Sequence, residues 1–303
     1  MYNWPPSDDL LAVALAEDLG VAVERISEPT LAGPGLLERD VTTASTIPAD
    51  AVFSGRIVAR EEAVVCGLPI AARLFELLAR ASGEEAPECF PLVAEGAAVG
   101  AGTAVLEVDG LARVVLAGER SALNIVMSLS GIASEARRWQ TAAGARLAVT
   151  DTRKTIPGLR ELSKYAVAVG GAHNHRAGLY DMVLIKDNHL AHAGGVATAV
   201  AAARRAHPEL TIECEADSVE QAVEAARAGA DYILLDNMDD DMLAHAVAAV
   251  REAAADLGST PLTEASGGIT FDRLSALVAT GVDRVSTSAI ALARPRDFAL
   301  DVV

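Results

Sequence analysis

The sequence is poor in aromatic residues and cysteine, and each shortage excludes a class of protein. Aromatic residues make up 4% of the 303 residues, which leaves no evident stacking platform for single-stranded nucleic acid. The three cysteines, Cys66, Cys89 and Cys214, form no C-x-x-C pair, so they provide neither a disulfide framework nor zinc-site spacing. We therefore expect a protein of a reducing compartment and place it in the cytoplasm.

Long hydrophobic runs and positive charge are also scarce. The apolar stretch 10–16 follows no basic region and is interrupted by Glu17 and Asp18, so we predict neither a signal peptide nor a membrane span. The chain has 25 basic and 42 acidic residues, a net charge of −17. Such an acidic chain is a poor partner for nucleic acid or an anionic membrane, and we expect small-molecule substrates instead.

Several common catalytic motifs are missing as well. No G-x-G-x-x-G follows a strand pattern, which argues against a dinucleotide-binding fingerprint. The motifs G-x-S-x-G, H-E-x-x-H and the phosphate-binding G-x-x-x-x-G-K-S/T are absent too.

A repeated strand–helix unit is present in the second half of the chain. The first 110 or so residues form a mixed α/β pattern that carries no obvious chemistry, and the length suits about two domains. Short apolar strands are then predicted at 147–149, 182–185, 210–214, 232–235, 261–263 and 284–286. Amphipathic helices are predicted between them, at 196–206, 219–228, 242–257 and 271–280. Six such units favour a closed or nearly closed α/β barrel over an open sheet.

Polar residues stand at the end of each predicted strand. The groups are Asp151 to Lys154, Lys186 to His189, Glu213 with Glu215, Asp236 with Asn237, Glu264 to Gly268, and Ser286 to Ser288. Because catalytic groups of βα barrels lie where the strands end, we expect these side chains to meet at one mouth.

Positive charge is concentrated near this mouth. All three lysines, Lys154, Lys164 and Lys186, lie in residues 151–190, a segment of net charge +2 in a chain whose total is −17. Together with Arg153, His175 and Arg176, the lysines at the strand ends predict a pocket for a small polyanion. Glu215 and Asp236 on the other side would fit a divalent metal that bridges them to phosphate, and the Gly267-Gly268 turn would offer N–H groups to phosphate.

At these residues the sequence resembles the quinolinate phosphoribosyltransferase family. The segment that carries most of the resemblance is DTRKTIPGLRELSKYAVAVGGAHNHRAGLYDMVLIKDNH, residues 151–189. Further agreement comes from DVTT at 40–43, GERSALNIVMSLSGIA at 118–133, ILLDN at 233–237 and EASGG at 264–268. The resemblance covers nearly the whole length.

The resemblance implies a two-domain dimeric enzyme. It implies an N-terminal α/β sandwich domain at 1–117, an incomplete α/β barrel at 118–290 and a tail at 291–303 that packs back on the first domain. Each barrel mouth would be covered by the partner's N-terminal domain. The implied reaction joins quinolinate to phosphoribosyl pyrophosphate with Mg²⁺ and yields nicotinate mononucleotide, pyrophosphate and CO₂, a step of de novo NAD synthesis.

The resemblance also implies roles for individual residues. Lys154, Glu215 and Asp236 would be catalytic, and Glu215 and Asp236 would hold Mg²⁺ directly or through water or substrate. The implied substrate-binding residues are Arg120, which would reach across the dimer, and Arg153, His175, Arg176, Lys186, Ser266, Gly267, Gly268 and Ser288. The two carboxylates of quinolinate would be held by Arg153, His175, Arg176 and Lys186. The 5′-phosphate site would be formed by Ser266, Gly267, Gly268 and Ser288.

One segment departs from the family pattern, which usually reads close to S-V-G-A-L-T-H after the last strand. This chain has Ser288 and Leu292 where the family has glycine and histidine. A serine in place of glycine crowds the approach to phosphate, although its hydroxyl could replace part of the lost contacts. Alternatives therefore stay open: a divergent paralogue that phosphoribosylates a related pyridine or aromatic carboxylate, a lyase with a Schiff-base lysine, or a non-catalytic ligand-binding relative.

Overall fold

The computed structural model describes residues 8–31, 33, 35–255, 257–258 and 260–303. As far as they are described, the residues form two compact units. Unit 1 comprises Met1–Glu135, Glu161–Gly170 and Ala293–Val303, and unit 2 comprises Ala136–Arg160 and Gly171–Leu292. The domain ranges 1–117, 118–290 and 291–303 stay a prediction, because compact units need not coincide with folding domains.

Unit 1 is built on a four-stranded antiparallel sheet. The strands of this unit are β1 (Val52–Ala59), β2 (Ala63–Val64), β3 (Glu88–Pro91), β4 (Ala98–Val99), β5 (Ala104–Leu111) and β12 (Phe298–Val302). The sheet has the order β12-β1-β5-β3, and β2 and β4 form a separate antiparallel pair. On β5, Val108 is fully buried between Glu107 and Asp109, as expected for a strand with one face on the core.

The helices of unit 1 supply the rest of its core. They are α1 (Asp8–Leu19), α2 (Glu24–Ser27), α3 (Val41–Thr46), α4 (Leu68–Ser82), the first part of α5 (Ala112–Ala143) and most of α6 (Arg160–Gly170). The sequence predicted α4 from Pro69 in its first turn and Gly83 after its end, and the structure confirms both signals. Gly83 has a φ of 78°, the left-handed conformation that ends many helices.

A half-buried carboxylate anchors the start of α4. The backbone N–H groups of Gly67 and Leu68 both donate to the Glu95 carboxylate, and the Tyr165 hydroxyl donates to the same group at 2.8 Å. An anion at a helix N-terminus accepts from N–H groups that have no partner inside the helix. Glu95 therefore fixes the direction in which α4 begins.

Unit 2 is a six-stranded parallel sheet with helices between the strands. Its strands are β6 (Ala148–Thr150), β7 (Val183–Ile185), β8 (Ile212–Ala216), β9 (Tyr232–Asp236), β10 (Leu262–Ser266) and β11 (Arg284–Ser286). The order is β6-β11-β10-β9-β8-β7, which places the first two strands of the unit at opposite edges. The α/β class is confirmed, and the parallel sheet fits the incomplete barrel that the family resemblance implied.

The helices of unit 2 follow the strands in the predicted alternation. They are the last residues of α5, then α7 (Asp187–Ala193), α8 (Val196–Ala206), α9 (Val219–Arg227), α10 (Asp240–Ala254) and α11 (Leu274–Thr280). The helix predicted at 242–257 begins two residues earlier and ends at Ala254, with the Asp239 side chain accepting from the Met242 N–H at 2.8 Å. The helix predicted at 271–280 is split, because its first three residues form a 3₁₀ turn.

Candidate active site

Polar side chains gather at one edge of the unit 2 sheet, as the sequence predicted. All six strands run parallel, so their carboxyl ends share one edge. Asp236 and Ser266 are the last residues of β9 and β10, Asp151 and Lys186 directly follow β6 and β7, and Ser288 lies two residues beyond β11. This is the edge at which βα barrels carry their active sites.

Lys186 and Glu215 form an ion pair at this edge. The ammonium of Lys186 lies against Oε2 of Glu215, and the Lys186 side chain is 47% exposed while that of Glu215 is 7% exposed. The backbone N–H of Lys186 donates to Nδ1 of His189 at 2.9 Å, which fixes the residue at the start of α7. The pair joins a predicted carboxylate-binding cation to a predicted metal ligand.

Three carboxylates lie close together beside this pair. Ligand oxygens of Glu215, Asp217 and Asp236 all lie within 4.8 Å of one another. The sequence prediction included Glu215 and Asp236 but missed Asp217. The signal was present, because Asp217 is two positions after Glu215, and residues at that spacing along an extended chain share a face.

Two arginines lie at this edge: Arg153 follows β6, and Arg176 lies three residues beyond His173, which forms a parallel bridge with Thr150 of β6. Burial, and then the positive charge of Arg153, lower the pKa of the Arg176 guanidinium, so the two cations are near enough to repel each other. Within the described part of the chain, Nε of Arg153 is buried without a hydrogen-bond partner. Lys154 is exposed next to them. The arrangement favours an anion between the guanidinium groups.

His175 has both ring nitrogens engaged by the protein. Its Nδ1 accepts from the Arg176 backbone N–H at 2.8 Å, and its Nε2 lies 2.8 Å from Oε2 of Glu213. An accepting Nδ1 requires the proton on Nε2, so the imidazole donates to Glu213. His175 therefore links a buried carboxylate to the Arg176 loop, and its predicted role in substrate binding stays a prediction.

Glu213, Glu264 and Arg284 form a buried ionic cluster below the site. Arg284 lies against both carboxylates, at 3.0 Å from Oε1 of Glu213, and neither glutamate is exposed to solvent. Burial, and then the charge of Glu213, raise the pKa of Glu264 to about 7. Burial opposes ionisation of Glu213 too, but the hydrogen bond from His175 and the charge of Arg284 outweigh it and lower the Glu213 pKa.

The turn after β10 contains the predicted phosphate-binding residues. Gly267 and Gly268 have φ values of 81° and 60°, the left-handed region. A Cβ on Gly267 would lie 2.1 Å from Oδ1 of Asn237, whereas one on Gly268 would meet nothing within 4 Å. Glycine is therefore required at position 267 by its neighbour as well as by its φ.

Arg120 and Ser288 complete the predicted set. Arg120 belongs to unit 1, where it is exposed on α5. Ser288 is half-buried in unit 2, and its carbonyl accepts from the Leu292 N–H at 3.2 Å. Within unit 2 the structure brings Lys186, Glu215 and Asp236 together, and the shared site of the remaining predicted residues stays a prediction.

Comparison with known proteins gives the same family on both halves of the chain. The model of the quinolinate phosphoribosyl transferase N-terminal domain matches residues 40–130, and that of the C-terminal domain matches residues 132–301. This chain belongs to the quinolinate phosphoribosyl transferase family. The resemblance seen in the sequence is confirmed.

Individual members of the family match over most of their length. The nicotinate-nucleotide pyrophosphorylase (carboxylating) of Mycobacterium leprae is 40% identical over 87% of this chain and 91% of its own. The crystal structure of NadC from Streptococcus pyogenes has a TM-score of 0.83 at 33% identity and covers 98% of this chain and 96% of its own. The nicotinate-nucleotide pyrophosphorylase structure from Ehrlichia chaffeensis has a TM-score of 0.84 at 30% identity and covers 99% and 100% of the two chains.

Membership of the quinolinate phosphoribosyl transferase family establishes the fold class and the type of enzyme, a pentosyltransferase. The roles of the individual site residues, the metal and the oligomeric state stay predictions. Among the described residues, no helix is long and apolar enough to cross a membrane.

Proposed function

We propose that this chain transfers the phosphoribosyl group of phosphoribosyl pyrophosphate to quinolinate. The reaction releases pyrophosphate and CO₂ and yields nicotinate mononucleotide, a step of de novo NAD synthesis. The observation that carries the proposal is the pairing, at one strand edge, of neighbouring guanidinium groups with a set of carboxylates. The first half suits a planar dicarboxylate, and the second suits a sugar diphosphate with a bridging cation.

The chain's own residues account for the transfer step. Arg153 and Arg176 hold the quinolinate carboxylates so that the pyridine nitrogen faces C1 of the ribose. The nitrogen forms a bond to C1 while the bond from C1 to pyrophosphate breaks, and the electron pair leaves with pyrophosphate. Lys154 offsets the charge on this leaving group, and Glu215 and Asp236 stabilise the cationic character that develops on the ribose.

Decarboxylation follows from the first step. The ribosylated ring is a pyridinium, and its positive nitrogen stabilises the electron pair that stays on the adjacent ring carbon when the carboxylate there leaves as CO₂. A proton then adds to that ring carbon, and no covalent enzyme intermediate is needed. Lys186, which forms an ion pair with Glu215, holds a quinolinate carboxylate together with the arginines.

Magnesium is the metal that we propose for this site. The oxygens of Glu215, Asp217 and Asp236, all within 4.8 Å of one another, are the hard ligands that Mg²⁺ prefers, and they leave positions open for phosphate oxygens or water. When bound, Mg²⁺ would neutralise charge on the diphosphate. Direct and water-mediated binding are both compatible with this donor set.

We also propose a homodimer in which Arg120 serves the site of the second copy. Arg120 is exposed on α5, and Leu179 and Tyr180, in the loop after Arg176, are 72% and 77% exposed. Co-expressed Arg120→Ala and Lys186→Ala chains should form mixed dimers with one intact site and regain part of the activity that each variant lacks. No recovery in mixed dimers isolated by two affinity tags would contradict shared sites.

The 5′-phosphate site that we propose consists of Ser266, Gly267, Gly268 and Ser288, and the Ser288 hydroxyl provides a hydrogen-bond donor there.

We also propose a cytoplasmic location for the protein. This location agrees with Cys66, Cys89 and Cys214 being free thiols.

The experiment that tests the function is a product assay. Purified protein with quinolinate, phosphoribosyl pyrophosphate and Mg²⁺ should form nicotinate mononucleotide and release the labelled 2-carboxyl carbon as CO₂ in equal amounts. Folded protein that forms no product would contradict the proposal. Faster turnover of another pyridine carboxylate would instead identify the divergent paralogue.

A further inference from the structure

Asn237 stands out because of its backbone. Its φ is 56°, and it is the only residue other than glycine with a positive φ in the part of the chain that the structure describes. The left-handed conformation costs energy for any residue with a Cβ, although asparagine tolerates it better than most. Such a residue at the end of a strand needs a reason for its conformation.

The asparagine side chain supplies that reason. Its Nδ2 lies 2.5 Å from Oδ2 of Asp236, the neighbouring residue and a proposed metal ligand. An amide N–H that donates to a carboxylate makes a charge-assisted hydrogen bond, which restricts rotation of the carboxylate. Asp236 is only half-buried at the end of β9, and it receives no other side-chain hydrogen bond among the described residues.

The neighbouring strand holds Asn237 in this conformation. The backbone N–H of Asn237 donates to the Ser266 carbonyl at 2.9 Å, which extends the β9–β10 ladder by one bond. The next residue, Gly267, leaves room for the asparagine amide, because a Cβ there would lie 2.1 Å from Oδ1. The turns after β9 and β10 thus both accommodate the Asn237 side-chain amide.

We propose that Asn237 is a positioning residue that holds the Asp236 carboxylate toward the ribose and metal side of the site. This inference rests on the proposed function, since Asp236 is assigned to the site there. It gives Gly267 a second role: besides the proposed contribution to phosphate binding, its missing side chain makes room for Asn237.

Two substitutions distinguish a role of Asn237 in positioning the Asp236 carboxylate from a role in stabilising the backbone conformation. Asn237→Gly and Asn237→Ala both remove the amide, but only alanine is strained at a φ of 56°. A positioning role predicts a similar loss of kcat for both, roughly tenfold for one charge-assisted hydrogen bond. A backbone role predicts that activity follows Tm, with Asn237→Gly near wild type and Asn237→Ala impaired.

Asn237→Asp is the control of matched shape. Aspartate tolerates the left-handed conformation and has the size of asparagine, but it cannot donate from an ionised carboxylate and places a like charge beside Asp236. It should lose at least as much kcat as Asn237→Gly. Wild-type activity in either Asn237→Asp or Asn237→Gly would overturn the proposal.

A crystal structure of Asn237→Gly, in the same crystal form as the wild type, provides a readout independent of turnover. We expect the Asp236 carboxylate to rotate away from its wild-type position or to occupy more than one. An unchanged, single Asp236 conformation would overturn the proposal even if the enzyme is active. A wild-type protein that forms no nicotinate mononucleotide would refute the proposed function instead, while the Asp236 conformation would still decide the role of Asn237.

Discussion

At the scale of single residues, Arg153 is the side chain whose substitution tests the anion site most simply. We expect Arg153→Ala to weaken quinolinate binding by roughly 10- to 100-fold, the effect of one hydrogen-bonded charge worth about 1.5–3 kcal/mol. Isothermal titration calorimetry would measure the change. Arg227→Ala, an exposed arginine at the end of α9 in the same unit, is the matched control and should bind quinolinate like the wild type.

The two ring nitrogens of His175 can be tested separately. Glutamine places a donor near the Nε2 position, and asparagine places an acceptor near the Nδ1 position. Because Glu213 is fully buried, loss of its donor costs about 1–3 kcal/mol, and His175→Asn should unfold at lower urea than His175→Gln. If His175→Gln unfolds at lower urea than His175→Asn, the hydrogen bond from the Arg176 N–H contributes more to stability than the contact with Glu213.

Glu264 gives the stability a specific pH dependence. Its folded-state pKa is raised from 4.5 to about 7, so the folded protein holds a proton there that the unfolded chain releases. Stability from this group is therefore lost as pH rises from about 4.5 to 7. We expect the unfolding free energy of the wild type, relative to Glu264→Gln, to fall across this range in urea titrations; a constant or rising difference would contradict the raised pKa.

At the scale of helices and strands, the Glu95 carboxylate at the start of α4 is the clearest test. Glu95→Ala leaves the Gly67 and Leu68 N–H groups without this acceptor, and we expect a loss of about 1–2 kcal/mol in the free energy of unfolding. Glu85→Ala, an exposed glutamate, is the control and should change stability little. Equal effects in chemical denaturation would show that Glu95 does not anchor the helix.

Hydrophobic spacing predicted the elements with buried faces. The helix at 196–206 has the predicted bounds, because its apolar residues Val196, Ala199 and Val200 contact the core at helical spacing, and the strand at 284–286 also has the predicted bounds. The strands β8 and β10 extend further than predicted. The acidic residue Glu264 was interpreted as the end of β10, but Arg284 compensates the charge of Glu213 and Glu264, and both lie inside their strands.

Two helices, α6 and α7, were not predicted. Helix α7 has no buried residue, so the sequence has no apolar face from which periodicity could be recognised. Helix α6 buries Lys164, a charged residue, and the sequence pattern gave no indication that this position is in the core. The left-handed conformation of Asn237 was also beyond sequence reasoning, because it depends on the neighbouring strand.

At the scale of the whole molecule, the distribution of charge agrees with membership of the quinolinate phosphoribosyl transferase family. The chain has a net charge of −17, yet Arg153, Arg176 and Lys186 lie at one strand edge of unit 2. A local cationic site in an acidic protein attracts a small anion without general attachment to nucleic acid. The family models, matched on 40–130 and 132–301, show the quinolinate phosphoribosyl transferase family, and quinolinate is the anion that we propose for this site.

The most direct measurement is a crystal structure of the protein with quinolinate bound. The account predicts that the two carboxylates of quinolinate lie within hydrogen-bond distance of the Arg153 and Arg176 guanidinium groups, with the pyridine nitrogen turned toward Glu215 and Asp236. A ligand found at another place, or bound while both guanidinium groups extend into bulk solvent, would show that the site has been assigned wrongly.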